Sequence, residues 1–206
     1  MSAKLTRDTA AHVADLHERR GRAIWLIDAA YMFNAQRSVG YDYQFDYLKL
    51  RSYLERAGDI QRGYFVNSVM SPIPDGQARF HNWLKTARPH GPQLIVQLYE
   101  LKDREVTCTH CGGRSITQVQ KGVDVGIATL MVRLADQDNY DTVILSSGDG
   151  DYLDAVRHIK EYMNKRLELC VFELGVSPDL QAYADRLWWI NDFHEDIART
   201  EHPDRE

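Results

Sequence analysis

Apolar and polar positions along this chain switch repeatedly between a strand-like run and a helical spacing. Arg22-Ala23-Ile24-Trp25-Leu26-Ile27 is almost wholly apolar and ends at Asp28, which predicts a buried strand. Phe45 to Arg56 places Phe45, Leu48 and Leu54 at helical spacing, with Gly58 as the stop. A second strand is expected over Arg62 to Met70. The breakers Pro72, Pro74 and Gly76 then mark a loop, followed by a helix over Gln77 to Ala87 and a third strand over Leu94 to Leu101. Residues 102–120 follow neither period and read as the least regular part. Val123, Ile127, Leu130, Met131 and Leu134 form a helical stripe. A strand over 142–147, a helix over 152–164 and a strand over Leu167 to Leu174 come next. Ser177-Pro178-Asp179 is a good helix start, which Leu180, Tyr183 and Leu187 continue, and Trp188-Trp189-Ile190 reads as a final short strand.

Strands alternating with helices predict an α/β fold with a mostly parallel sheet and helices on both faces. No internal repeat or dividing linker is visible. The expected organisation is an N-terminal helical extension over 1–21, one domain over 22–192 and a polar tail over 193–206. The extension is read as a short helix over 5–20 with Thr6 as N-cap. The chain has 206 residues, 44% hydrophobic and 27% charged, which places it among soluble globular proteins. No apolar run is long enough to span a membrane, and Met1 to Arg22 lacks the apolar core of a signal peptide. Three cysteines are too few for a disulfide framework. A cytoplasmic location is the simplest expectation. The net charge of −5 means that a nucleic-acid partner would need a local basic patch.

Acids sit where strands give way to helices. Asp28 ends the first strand, Asp124 opens the helix near Val123, and Asp149 and Asp151 follow the strand 142–147 within Ser146-Ser147-Gly148-Asp149-Gly150-Asp151-Tyr152. In a parallel sheet the strand ends converge on one edge, where ligands bind. Carboxylates crowded there suit Mg²⁺ or Mn²⁺. Such a cation activates water and neutralises a phosphodiester oxygen. Each acid also has a plainer use. Asp28 can cap a helix starting at Ala29, Asp124 can favour a helix dipole, and Asp149 with Asp151 can form a turn or cap beside Gly148 and Gly150.

Trp25-Leu26-Ile27-Asp28, Lys121-Gly122-Val123-Asp124-Val125 and Ser146-Ser147-Gly148-Asp149-Gly150-Asp151-Tyr152, in that order, resemble the signature of the NYN domain family. That family includes the LabA-like proteins and belongs to the PIN-like nuclease superfamily. The resemblance spans about residues 22–192. It implies a Rossmann-like three-layer α/β/α sandwich and metal-dependent ribonuclease chemistry. Asp28, Asp124, Asp149 and Asp151 match the family acids as Mg²⁺ or Mn²⁺ ligands. Ser147 falls where the superfamily often has a Ser or Thr, within reach of a ligated water or an acid. Family members commonly carry Asn three residues after the first Asp, where this chain has Tyr31; Asn34 lies one turn on. Tyr31 can stack on a base or pack between helix and sheet.

Cys108-Thr109-His110-Cys111 supplies half of a tetrahedral zinc site, and its remaining ligands would come from His81, His90, His110 or a second subunit in a homodimer. Reduced thiols in a loop are the plainer alternative. Among the scattered basic residues, Lys121, three before Asp124, is the best candidate for a phosphate contact. The expected function is a divalent-metal-dependent ribonuclease acting on single-stranded or structured RNA. The rival is a non-catalytic RNA-binding or regulatory module that keeps the acidic pocket. A phosphatase is a third option, but Asp28 is followed by Ala29-Ala30 rather than a second Asp.

Overall fold

The computed structural model describes residues 20–107, 109–119 and 122–200. The helix expected over 5–20, Cys108 and Lys121 therefore lie outside the described residues, apart from Arg20. Strand β1 (Ala23–Asp28) buries all six of its residues. Trp25 and Ile27 face one core cluster, while Ile24 and Leu26 face another. Burial on both faces is why its sequence is apolar throughout rather than alternating. Each fully buried Leu or Ile there contributes about 1.5–3 kcal/mol.

β2 (Ile60–Val69) and β3 (Leu94–Glu100) extend the sheet on one side of β1; β6 (Thr142–Ser146), β7 (Arg166–Val171) and β8 (Arg186–Trp189) extend it on the other. The order is β3-β2-β1-β6-β7-β8, and every pairing is parallel. One face carries α1 (Ala29–Ala35), α2 (Tyr47–Leu54), α3 (Asp75–Lys85) and α7 (Ile190–Ile197), whose Met32, Leu50, Leu84 and Ile190 join the Trp25 cluster. The other carries α4 (Val123–Asp136), α5 (Leu153–Glu161) and α6 (Pro178–Tyr183), whose Ile127, Val156 and Leu180 join the Leu26 cluster. The result is the expected three-layer α/β sandwich. No helix among the described residues is long and apolar enough to cross a membrane.

A buried ion pair ties the two ends of the first face together. Arg20 Nη2 donates to Glu168 Oε2 at 3.0 Å, and Trp188 Nε1 donates to the same oxygen at 2.8 Å. Arg20 Nη1 donates to the carbonyls of Leu54 and Gly58.

Four expectations need correction. Residues 102–120 contain an antiparallel hairpin, β4 (Lys102–Thr107) with β5 (Arg114–Val119), separate from the central sheet. Lys102-Asp103-Arg104-Glu105-Val106-Thr107 carries one apolar residue, the exposed Val106, and so offers no apolar alternation. The helix expected to run to Leu187 stops at Tyr183. Asp185 Oδ2 accepts from the Leu167 backbone N–H at 2.8 Å, which anchors the chain at the start of β7 and sets Leu187 opposite Leu169. The tail expected from 193 begins with most of α7, which buries Phe193 and Ile197; the Phe193 ring stacks on Tyr53 at 3.9 Å. Finally, α1 itself was anticipated only as a capping alternative for Asp28.

Candidate active site

Strand order reverses beside β1, whose neighbours are β2 and β6. The chain builds outward from β1 to β3, then returns to build from β6 to β8. This switch point opens a crevice at the carboxyl ends of the strands. Asp28 ends β1, and Ser147 follows β6 one residue past the Ile27–Ser146 pairing.

Asp28 is buried, and three donors surround its carboxylate. Oδ1 accepts from the Tyr31 N–H at 3.1 Å, so Asp28 caps α1. Oδ2 accepts from Ser147 Oγ at 3.1 Å and faces the Tyr152 hydroxyl at 3.4 Å. Burial raises the Asp28 pKa above the usual carboxylate value; the negative charge of Asp124 adds to the rise, and the hydrogen bonds from Tyr31 and Ser147 offset only part of it. Capping and site-building are thus not rivals here, since one oxygen does each.

Asp124 reaches the same floor from the first turn of α4. Its Oδ1 accepts from the Tyr152 hydroxyl at 3.3 Å. Gly122 takes the left-handed conformation, φ 92°, that turns the chain into this helix. Tyr152 is fully buried, and burial together with the carboxylates pushes its phenol pKa up, so the hydroxyl stays a neutral donor.

Ser147 links the second acidic segment to the first. Its hydroxyl donates to Asp28 and accepts from the Asp149 N–H at 3.3 Å. Asp149 in turn accepts the Asp151 N–H at 3.0 Å and caps the short 3-10 turn over 150–152. Gly148 admits no side chain: a Cβ there would lie 2.8 Å from Val176 Cα and 2.9 Å from Tyr31 Cε2, and would also strike the Gly175 carbonyl.

These residues surround a cleft of about 790 Å³. Asp28 and Asp124 line it, with Ala30, Tyr31 and Asn34 from α1, Gly148-Asp149-Gly150, and Leu174-Gly175-Val176-Ser177. Of the residues expected from sequence, Asp28, Asp124, Asp149, Tyr31 and Asn34 reach this cleft, and Ser147 supports it from the core. Asp151 is exposed and does not line it. Among the described residues, no group of three or more His, Cys, Asp or Glu side chains is gathered closely enough to hold a metal ion. The expected four-acid cluster is therefore not preformed among the described residues: Asp28 and Asp124 converge, Asp149 accepts within its own cap, and Asp151 lies outside the lining. Tyr31 takes the packing role, donating its hydroxyl to the Phe172 carbonyl at 2.9 Å, while its ring still forms part of the cleft wall.

Cys108 lies outside the described residues, so only part of the expected zinc ligand set can be placed. His81 is buried beside Phe65 and Phe80, whereas His90, His110 and Cys111 are exposed. Tyr152 and the Leu174–Ser177 wall were missed from sequence. Tyr152 is there only the last residue of the acidic segment, and the approach of α4 is what reveals a hydroxyl between two acids.

The NYN domain model matches residues 22–191. The chain belongs to the NYN domain family. A crystal structure of a protein of unknown function from Vibrio parahaemolyticus has the same fold, with TM-score 0.63 and 22% sequence identity over 88% of this chain and 98% of that one. No curated protein matches the sequence. The NYN signature segments are the ones that frame the cleft: the end of β1, the start of α4 and the turn after β6.

Proposed function

We propose that this NYN domain is a divalent-metal-dependent ribonuclease that hydrolyses phosphodiester bonds of single-stranded or structured RNA. The observation that carries the proposal is the convergence of Asp28 and Asp124 on one buried hydroxyl at the switch point of the sheet. Their hard oxygen donors, with open cleft above them, fit Mg²⁺ or Mn²⁺. Such ions accept one or two carboxylates and keep sites for waters and substrate phosphate. The burial-raised pKa of Asp28 fits a pair that gains from a shared cation.

When bound, the ion would neutralise charge on the scissile phosphate and acidify a water. Asp28 and Asp124 would hold it. Ser147 and the Tyr31 N–H fix the Asp28 carboxylate in place. Asp149, exposed at the rim, is the base that accepts the proton of the attacking water, and Asp151 adds negative charge outside it. Asn34 and the Tyr31 ring contact the nucleotide from one wall, and Lys121 contacts phosphate.

Asp149→Asn keeps the cap, because Asn and Asp cap equally well. It should reduce Mn²⁺-dependent cleavage of a fluorophore–quencher RNA by about 100-fold or more, the usual contribution of a general base. Full activity in the variant overturns the assignment. One observation favours a second reading, a non-catalytic RNA-binding module: the Asp149 side chain is engaged by its own turn. Mn²⁺ and RNA binding without turnover by the unaltered chain would establish that reading instead.

A further inference from the structure

A buried hydroxyl needs a hydrogen-bond partner, and Tyr152 has two acids for partners. Its hydroxyl lies 3.4 Å from Asp28 Oδ2 and 3.3 Å from Asp124 Oδ1. The ring is wholly buried in the layer that holds α4 and α5, so a phenylalanine would meet every packing need. The two acids sit on different elements, one at the end of β1 and the other in the first turn of α4. A phenol has a single proton to donate, so one hydroxyl serves both carboxylates in alternation and holds them to a common point.

The two acids depend on it unequally. Asp28 is also fixed by Tyr31 and Ser147. Among the described residues, the Tyr152 hydroxyl is the hydrogen-bond partner of the Asp124 side chain. Without it, the half-buried Asp124 carboxylate is free to swing into the open cleft.

We propose that Tyr152 is a positioning residue whose hydroxyl, shared by Asp28 and Asp124, sets the spacing at which these carboxylates take a divalent cation. The proposal rests on the metal-site reading above. It assigns the hydroxyl a share of the affinity, since loss of a partner that orients a ligand typically weakens metal binding about 10–100-fold.

The test compares Mn²⁺ binding by the full chain, Tyr152→Phe and Tyr140→Phe, using titration calorimetry. Tyr140 is the control for losing a buried hydroxyl: it is equally buried, and it donates to the Met131 carbonyl at 2.9 Å. The expected result is a Kd about 10–100-fold weaker in Tyr152→Phe and unchanged in Tyr140→Phe. A purely structural role would lower thermal stability and leave the Kd unmoved. Equal affinity in Tyr152→Phe and the unaltered chain overturns the role of Tyr152 and leaves the metal site standing; no Mn²⁺ binding by the unaltered chain overturns both. Should Tyr152→Phe fail to fold, NMR of the unaltered protein decides. Substoichiometric Mn²⁺ must broaden the Tyr152 ring resonances before those of Tyr140, and failure to do so overturns the proposal.

Discussion

Replacing Asp28 by Asn should stabilise the metal-free protein while removing its response to Mn²⁺. The heavy-atom contacts survive the change, with the Ser147 hydroxyl turned from donor to acceptor, so that its proton gives up the Asp28 oxygen. The Asn carbonyl can accept from the Tyr31 N–H, and its amide can donate to the Ser147 and Tyr152 hydroxyls, which leaves Tyr152 free to donate to Asp124. What disappears is a buried charge facing another. The two carboxylates share a hydroxyl 3.4 and 3.3 Å from their nearest oxygens. Those oxygens therefore lie within about 7 Å, where repulsion at an effective dielectric of about 20 is about 2 kcal/mol. Solvent at half-buried Asp124 and the lost acceptor of the Ser147 proton trim the gain to about 1 kcal/mol, or about 2–4 °C in Tm for a chain of this size.

The pH dependence has a definite sign. The folded Asp28 carboxyl holds its proton more tightly than the unfolded one. The contribution of Asp28 to metal-free stability is therefore greatest at acid pH and falls as pH rises from the unfolded value of about 3.9 through the higher folded value. The Asp28→Asn variant lacks that fall, so its advantage appears above this window and vanishes below it. Thermal melts in chelator across the pH range measure the difference. With Mn²⁺ at 100 times its Kd, the unaltered protein gains about 2.7 kcal/mol, the variant gains little, and their order reverses. A variant less stable than the unaltered chain at neutral pH in chelator would refute the claim that the two acids repel each other.

Two further substitutions probe the frame around the site. Glu168→Ala strands the buried Arg20 guanidinium and the Trp188 indole N–H, so urea unfolding should show a loss of about 3–5 kcal/mol; a loss below about 1 kcal/mol would contradict the pairing. Asp46 caps α2, accepting from the Leu48 and Lys49 N–H groups at 2.7 and 3.2 Å. Asp46→Ala should cost about 1 kcal/mol in the same assay and leave Mn²⁺ affinity unaltered, because it lies outside the cleft.

The legible parts of this fold are those whose local pattern and tertiary setting agree. β1 and β6 are buried on both faces, so their sequences are continuous apolar runs followed by polar strand ends, and the site acids could be found there without coordinates. The β4–β5 hairpin was not legible, because β4 carries one apolar residue, Val106, and so shows no alternation. Leu187 was misplaced for the opposite reason: its spacing from Leu180 and Tyr183 fits a helix, but Asp185 clamps the chain to β7. Asp149 and Asp151 were read as ligands equal to Asp28, yet a one-turn cap occupies Asp149 and leaves Asp151 outside the lining. Such short-range competition between backbone and cation for one carboxylate cannot be weighed from residue types alone. Tyr152 shows the converse, since its chemistry depends on two acids that are distant from each other in sequence.

The central claim, that Asp28 and Asp124 share a catalytic cation, is tested most directly by anomalous diffraction at the manganese edge from Mn²⁺-soaked crystals. The account predicts a manganese peak within coordination distance of both carboxylates, above the Tyr152 hydroxyl. A cleft without manganese at saturating Mn²⁺, or a peak bound only elsewhere on the molecule, would contradict it.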